Sequence, residues 1–211
     1  MHVANHTIET IAELEAIYEF PAKAMPAVVK ELDHISDHYQ RFIEASPFVV
    51  LATAGPEGEG LDCSPRGDPA GFARVVDPKT VMIPDRRGNN RVDSLRNIVR
   101  DGRVALLFLI PGSSTTLRIN GRARLSTDPA LCASFTMERK VPRSIIVVTA
   151  DRVYTQCPKA LVRSDLWNSA KHVANSALPT SGEIMQALTE GRIDGKQYDA
   201  AYPARLKETI Y

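Results

Sequence analysis

The sequence predicts a mainly β fold of the α+β type: an antiparallel barrel of six or seven strands carrying peripheral helices. Three observations point to it. Strand-length apolar runs recur between turn signals from Ser46 onward, and residues 116–125 alternate apolar and polar with period two. Helical patterns gather at the flanks and do not alternate regularly with the strands, as a β/α sheet would require. The 211 residues are read as a single domain. Residues 1–45 form N-terminal helices, 46–157 the barrel core, and 158–211 a C-terminal helical segment. No repeat of 20–50 residues and no low-complexity tract interrupts it.

Residues 8–19 place Ile8, Ile11, Leu14, Ile17 and Tyr18 at helical spacing, with Thr7 as N-cap, Thr10 in the third position and Phe20-Pro21 as the stop. A second helix is expected over residues 26–44, opened by Pro26 and facing inward through Val28, Val29, Leu32, Ile35, Tyr39, Phe42 and Ile43. His34 and His38 stand four apart on it. No Glu follows His34 and no third ligand is apparent, so a surface pair is expected over a zinc site.

The first strand is the continuous apolar run Phe48-Val49-Val50-Leu51-Ala52-Thr53. The glycines at 55, 58 and 60 run G-x-x-G-x-G with no helix after them, which is a hairpin connection and not a nucleotide fingerprint. Residues 61–65 return, with Pro65 marking an edge, a bulge or the strand end. A calcium loop from Asp62 is excluded, because Arg66 occupies a ligand position and Ala73 stands where a bidentate Glu belongs. Residues 71–76 and 80–83 read as short strands across Asp77-Pro78-Lys79.

Residues 81–95 then combine a short apolar run, a polar turn through Pro84 and Gly88, and an amphipathic helix expected from Asn89 or Asn90 to Arg100. A strand leading through an arginine-rich turn into a helix N-terminus suits an anion such as phosphate. A solvated, Asn-capped turn fits the same residues.

Residues 104–110 are apolar on both faces. Along 116–125, Leu117, Ile119, Ala123 and Leu125 face one way, opposite Thr116, Arg118, Asn120, Arg122 and Arg124. Those arginines fit a solvated face or a positive wall for a ligand or a subunit contact. A helix is expected over 128–139, strands over 144–149 and 152–156 separated by Ala150-Asp151, and a helix over 158–166 followed by Trp167. One or two short helices end the chain, with a linker over 191–195.

With 26 basic against 25 acidic residues the formal net charge is +1, which argues against a nucleic-acid coat protein. The three cysteines are dispersed, without a C-x-x-C pair, so neither a disulfide framework nor a zinc site is indicated. No apolar run approaches eighteen residues and the N-terminus lacks a secretory pattern, so a cytoplasmic location is expected.

Several elements occur together in order. They are Ser46-Pro47-Phe48 with Leu51-Ala52-Thr53, Asp62-Cys63-Ser64-Pro65-Arg66-Gly67-Asp68, Ile83-Pro84-Asp85-Arg86-Arg87-Gly88-Asn89-Asn90-Arg91, Leu107-Phe108, Leu117-Arg118-Ile119-Asn120-Gly121-Arg122-Ala123, and Cys157-Pro158-Lys159-Ala160 before Trp167. Over roughly residues 40–167 this series resembles the pyridoxamine 5′-phosphate oxidase-like FMN-binding split-barrel flavoproteins, an uncharacterised subfamily of them included. The resemblance implies a split barrel, a homodimer, and FMN in grooves at the interface.

It further implies that Arg66, with Ser64 in the same motif, meets the FMN phosphate, and that Asn89, Asn90 and Arg91 cradle it. Ile83, Pro84 and Asp85 would run along the flavin edge. Thr116 and Arg118 would face the flavin, and Lys159 and Trp167 would approach from the partner subunit. The oxidases carry Ser-Arg-Lys where this chain has Asn-Asn-Arg, and their C-terminal pyridoxal-phosphate-binding segment finds no match. The implied activity is therefore FMN-dependent oxidation or reduction of an unidentified small molecule, not of vitamin B6 itself. The alternative is a binding or storage protein for flavin, haem or deazaflavin. No Ser-His-Asp, Cys-His or paired-carboxylate arrangement competes with it, because the flavin would carry the redox chemistry.

Overall fold

The computed structural model describes residues 6–18, 25–58 and 60–211. The helix stop expected at Phe20-Pro21 and Glu59 of the first connection lie outside them. Seven strands form one antiparallel sheet: β1 Phe48–Ala54, β2 Leu61–Gly67, β3 Arg74–Asp77, β4 Thr80–Pro84, β5 Arg103–Leu109, β6 Thr116–Ser126 and β7 Ile145–Gln156. Their order is β2-β1-β5-β6-β7-β4-β3, and the edges β2 and β3 do not pair, so the sheet is curled but not closed. This is the mainly β, split-barrel architecture that the strand patterns and the resemblance imply. Pro65 sits within β2, opposite Val50, on an edge strand where its missing N–H costs no ladder bond.

The core fills the concave side. Val49 and Leu51, Val81 and Ile83, Leu106 and Phe108, and Leu117 and Ile119 supply alternate positions from four strands, and Ile43 and Ile98 come from helices. Strand β7 is apolar on both faces for a reason. Ile146 and Val148 enter this core, whereas Ile145 and Val147 pack with Cys132 and Phe135 of a second cluster. The alternation predicted along β6 holds from Leu117 to Arg124, whereas Thr116, expected on the polar face, is buried. The two strands expected over 144–156 are one strand, because a bulge at Asp151 lets the chain continue: Asn120 pairs with Arg152 and Gly121 with Ala150.

The helices are α1 Ile11–Glu15, α2 Pro26–Val29, α3 Asp37–Ala45, α4 Asp93–Arg100, α5 Pro129–Ser134, α6 Lys159–Ser164, α7 Ser181–Leu188 and α8 Gly195–Thr209. In α1 the cap is Thr10, in a capping box with Glu13, and not Thr7. The helix expected over 26–44 is two helices. Between them Leu32 pairs with Val153, N to O at 3.0 and 2.7 Å, on the stretch of β7 that β4 does not reach. An open strand edge outcompetes the helical pattern there. His34 consequently precedes α3 while His38 lies in it, so the two do not share a helix face. The helix expected over 128–139 stops at Phe135, with Glu138 and Arg139 at positive φ. No helix among the described residues is long and apolar enough to cross a membrane.

Candidate functional site

The curl brings edge strand β2 against the loop that leaves β4. Period-two geometry turns Asp62, Ser64 and Arg66 inward together, while Leu61, Cys63 and Pro65 face out. Opposite them Ser94, in the first turn of α4, is 2% exposed. Its hydroxyl donates to Asp62 Oδ2 at 2.5 Å. The Ser64 hydroxyl, 2.8 Å away, must then be the donor to Ser94 Oγ, which also accepts from Arg66 Nη2 at 3.2 Å. Arg66 Nη1 donates to Asp85 Oδ1 at 3.0 Å. The Arg66 Nε is buried and has no partner. A buried guanidinium donor left unpaired costs about 1–3 kcal/mol, so Arg66 presents an unmet demand for an acceptor. Burial pushes the Asp85 carboxyl above its ordinary range, and the neighbouring Arg66 guanidinium offsets part of that rise.

These residues form one wall of a cleft of about 850 Å³. The loop over 85–92, the start of α4, the segment 139–144 and Tyr211 form the rest. Arg86 is held in place, its Nε donating to Asp68 Oδ2 at 2.6 Å and its Nη1 to the Phe135 carbonyl at 2.7 Å. Seven cationic side chains line the cleft against three carboxylates, in a chain whose whole formal charge is +1. Asp62, Asp85 and Asp93 are each engaged, by Ser94, Arg66 and Arg91. Among the described residues Arg87, Arg139, Lys140 and Arg143 have no acidic partner within salt-bridge distance. A concave, positively charged wall of this kind concentrates anions.

Ser64, Arg66, Asp85, Asn89, Asn90 and Arg91 all line this cleft. The local geometry at the last three differs from expectation. Helix α4 begins at Asp93, not at Asn89 or Asn90, because Asn90 and Val92 take positive φ of 59° and 54° and hold the chain out of the helix. Val92 gives no side-chain cap. Asp93 sits in the first turn and binds Arg91 Nε at 2.8 Å. The helix N-terminus is therefore already compensated by a carboxylate, and the cleft's pull on an anion comes from Arg66 and the loop cations.

Pro84 lines an adjoining cavity of about 370 Å³, and the Ile83 side chain is fully buried in the core. Thr116, Arg118, Lys159 and Trp167 line neither cavity. Thr116 is buried at the start of β6, and Arg118 donates to the Tyr154 hydroxyl at 3.1 Å. Trp167 Nε1 donates to the Ser113 carbonyl at 2.7 Å, tying the segment after α6 to the β5–β6 turn. Lys159, the first residue of α6, is exposed. Within one chain the cleft thus gathers Ser64, Arg66, Asp85, Asn89, Asn90 and Arg91, and leaves Thr116, Arg118, Lys159 and Trp167 outside it.

Sequence reasoning missed Ser94, Arg139, Lys140, Arg143 and Tyr211. The basic run Arg139-Lys140-Val141-Pro142-Arg143 before a buried strand was a legible signal. Ser94 and Tyr211 offered none, since each reaches the site only through the tertiary fold.

Solved structures similar to this chain include HupZ of Group A Streptococcus, at 18% identity over 57% of this chain and 93% of that one, with a TM-score of 0.46. A candidate pyridoxamine 5′-phosphate oxidase of Lactobacillus delbrueckii matches at 20% identity over 59% and 98%, with a TM-score of 0.47. An FMN-binding protein of Syntrophomonas wolfei matches at 10% identity over 56% and 87%, with a TM-score of 0.41. None of the curated proteins matches the sequence. The pyridoxamine 5′-phosphate oxidase family model matches residues 35–157, more than half of the chain and the whole span from α3 to the end of β7. The chain belongs to the pyridoxamine 5′-phosphate oxidase family.

Proposed function

We propose that this chain is an FMN-dependent oxidoreductase acting on a small molecule, with the cofactor groove completed by a second copy of the chain. The observation that carries the proposal is the buried, unpartnered Arg66 Nε, set in a cleft with an excess of cationic side chains. Membership of the family supports it, and the cleft volume falls in the range of small-molecule and cofactor sites, about 300–1,000 Å³. The donor set fits a phosphate. Arg66 offers a free N–H, and Arg87, Arg139, Lys140 and Arg143 supply positive charge with no carboxylate at salt-bridge distance.

When bound, the flavin supplies the redox chemistry. The residues of this chain hold and tune it. Arg66 would neutralise and hydrogen-bond the phosphate, with Ser64 holding Ser94 beside it and Asn89, Asn90 and Arg91 closing over it from the loop. The backbone of Ile83, Pro84 and Asp85 would flank the ring edge, held in place by the bond from Asp85 N to the Ser144 carbonyl at 3.0 Å. Thr116, Arg118, Lys159 and Trp167 lie outside the cleft of their own chain. In a two-fold dimer, the commonest soluble assembly, they would form the opposite wall of the partner's groove. Arg118 would there favour negative charge on the reduced ring.

The test is the absorbance spectrum of the purified protein, followed by anaerobic addition of NADH or NADPH and then air. A flavin spectrum that bleaches and returns supports the enzyme. A flavin that responds to dithionite alone identifies a binding or storage protein, and a Soret band or a deazaflavin spectrum replaces FMN as the ligand.

A further inference from the structure

The side chain of Tyr211 borders both the main cleft and the adjoining cavity, as do Arg66, Arg86 and Arg87. Its hydroxyl donates to Asp68 Oδ1 at 2.8 Å. The other oxygen of Asp68 takes Arg86 Nε at 2.6 Å, and the Asp68 side chain is 1% exposed. The Arg86 guanidinium lies 5.7 Å from the centre of the Tyr211 ring. Asp68 is thus a two-headed acceptor that ties Tyr211 to the second residue of the cleft loop. The carboxylate raises the phenol above its ordinary range, so the proton stays on Tyr211 as donor through neutral pH.

The helix leading to Tyr211 is otherwise tied elsewhere. Among the described elements α8 packs extensively only on α7. There Gly182 and Gly195 meet so closely that a Cβ on Gly182 would lie 2.1 Å from the Gly195 carbonyl oxygen. Asp199 accepts from the Thr180 hydroxyl and from Gly182 N. Tyr211 therefore joins a self-contained helical hairpin to the cleft.

We infer that Tyr211 is a positioning residue: through Asp68 and Arg86 it fixes the loop over 85–92, so the C-terminal hairpin sets how fast an anionic ligand leaves the cleft. The inference rests on the proposed FMN site for its ligand, and on the observed network for its mechanism. Arg86 donates to the Phe135 carbonyl and to Asp68 through bonds that do not involve the phenol, so loss of the phenol should loosen the loop without dismantling it.

The experiment compares wild type with Tyr211→Phe, which keeps the ring and removes the donor. FMN release from the loaded protein is followed by recovery of flavin fluorescence, alongside thermal unfolding and amide exchange. The expected result is release about tenfold faster, equal to about 1.4 kcal/mol, with faster exchange over residues 86–91 and a nearly unchanged unfolding midpoint. Unchanged release, or a lowered midpoint with unchanged release, overturns the inference. If wild type takes up no FMN, the proposed function fails by itself. Amide exchange then decides the inference: faster exchange over 86–91 in Tyr211→Phe upholds it, and unchanged exchange overturns it.

Discussion

Replacing Arg66 with Met removes the guanidinium while keeping an unbranched apolar stem. The side chain is 20% exposed and donates to Asp85 and to Ser94, with its Nε unused. A hydrogen bond to a charged group contributes about 1.5–3 kcal/mol, so losing the phosphate contact should weaken FMN binding by about 10- to 150-fold. The change also strands Asp85. A fully buried pair broken on one side costs about 3–5 kcal/mol. The partial exposure here lowers that to about 1–3 kcal/mol, and Arg66→Met/Asp85→Asn should recover most of it. The assay is titration of the ligand-free protein with FMN and, separately, with riboflavin, which lacks the phosphate. Arg66→Met should lose affinity for FMN and keep its affinity for riboflavin. Equal loss for both ligands, or none for FMN, would refute the assignment of Arg66 to the phosphate.

Further outcomes follow from the same structure. The Asp85 pKa is raised by burial, so its protonated form favours the fold below the ordinary carboxylate value, and that contribution is lost as pH rises through the raised value. Urea unfolding from acid to neutral pH should show wild type losing stability relative to Asp85→Asn over that window and running parallel above it. Gly121→Ala would set a Cβ 2.0 Å from the Thr149 carbonyl oxygen beside the bulge; denaturant unfolding should show a loss of about 3 kcal/mol, and a neutral result contradicts the packing described. Trp167 is the sole tryptophan. Its emission should be quenched when FMN binds if the partner's groove includes it, and unchanged emission excludes it from the site.

The barrel was readable because its strands carry their environment on their surface. Val49, Leu51, Leu106 and Phe108 occupy alternate buried positions in strands whose neighbours are half-buried, and β6 alternates because one face is solvated. The errors fall where a distant partner overrides a local pattern. Leu32 fits a helical stripe but closes the edge of β7, and Asn90 looks like a helix cap but adopts a left-handed turn. The site was half readable. Arg66 and the loop over 85–91 carry a local motif, whereas Ser94 depends on the packing of α4 against β2, and Tyr211 on where α8 ends. No spacing along the chain encodes either contact.

In the proposed function the cationic cleft around Arg66 holds a flavin phosphate. This is tested most directly by heat-releasing the chromophore of the purified protein, after incubation with FMN and gel filtration, and identifying it by mass and absorbance. FMN at about one molecule per chain, displaced competitively by inorganic phosphate, is the expected result. A colourless protein that retains no FMN, or one that retains riboflavin equally well, contradicts it.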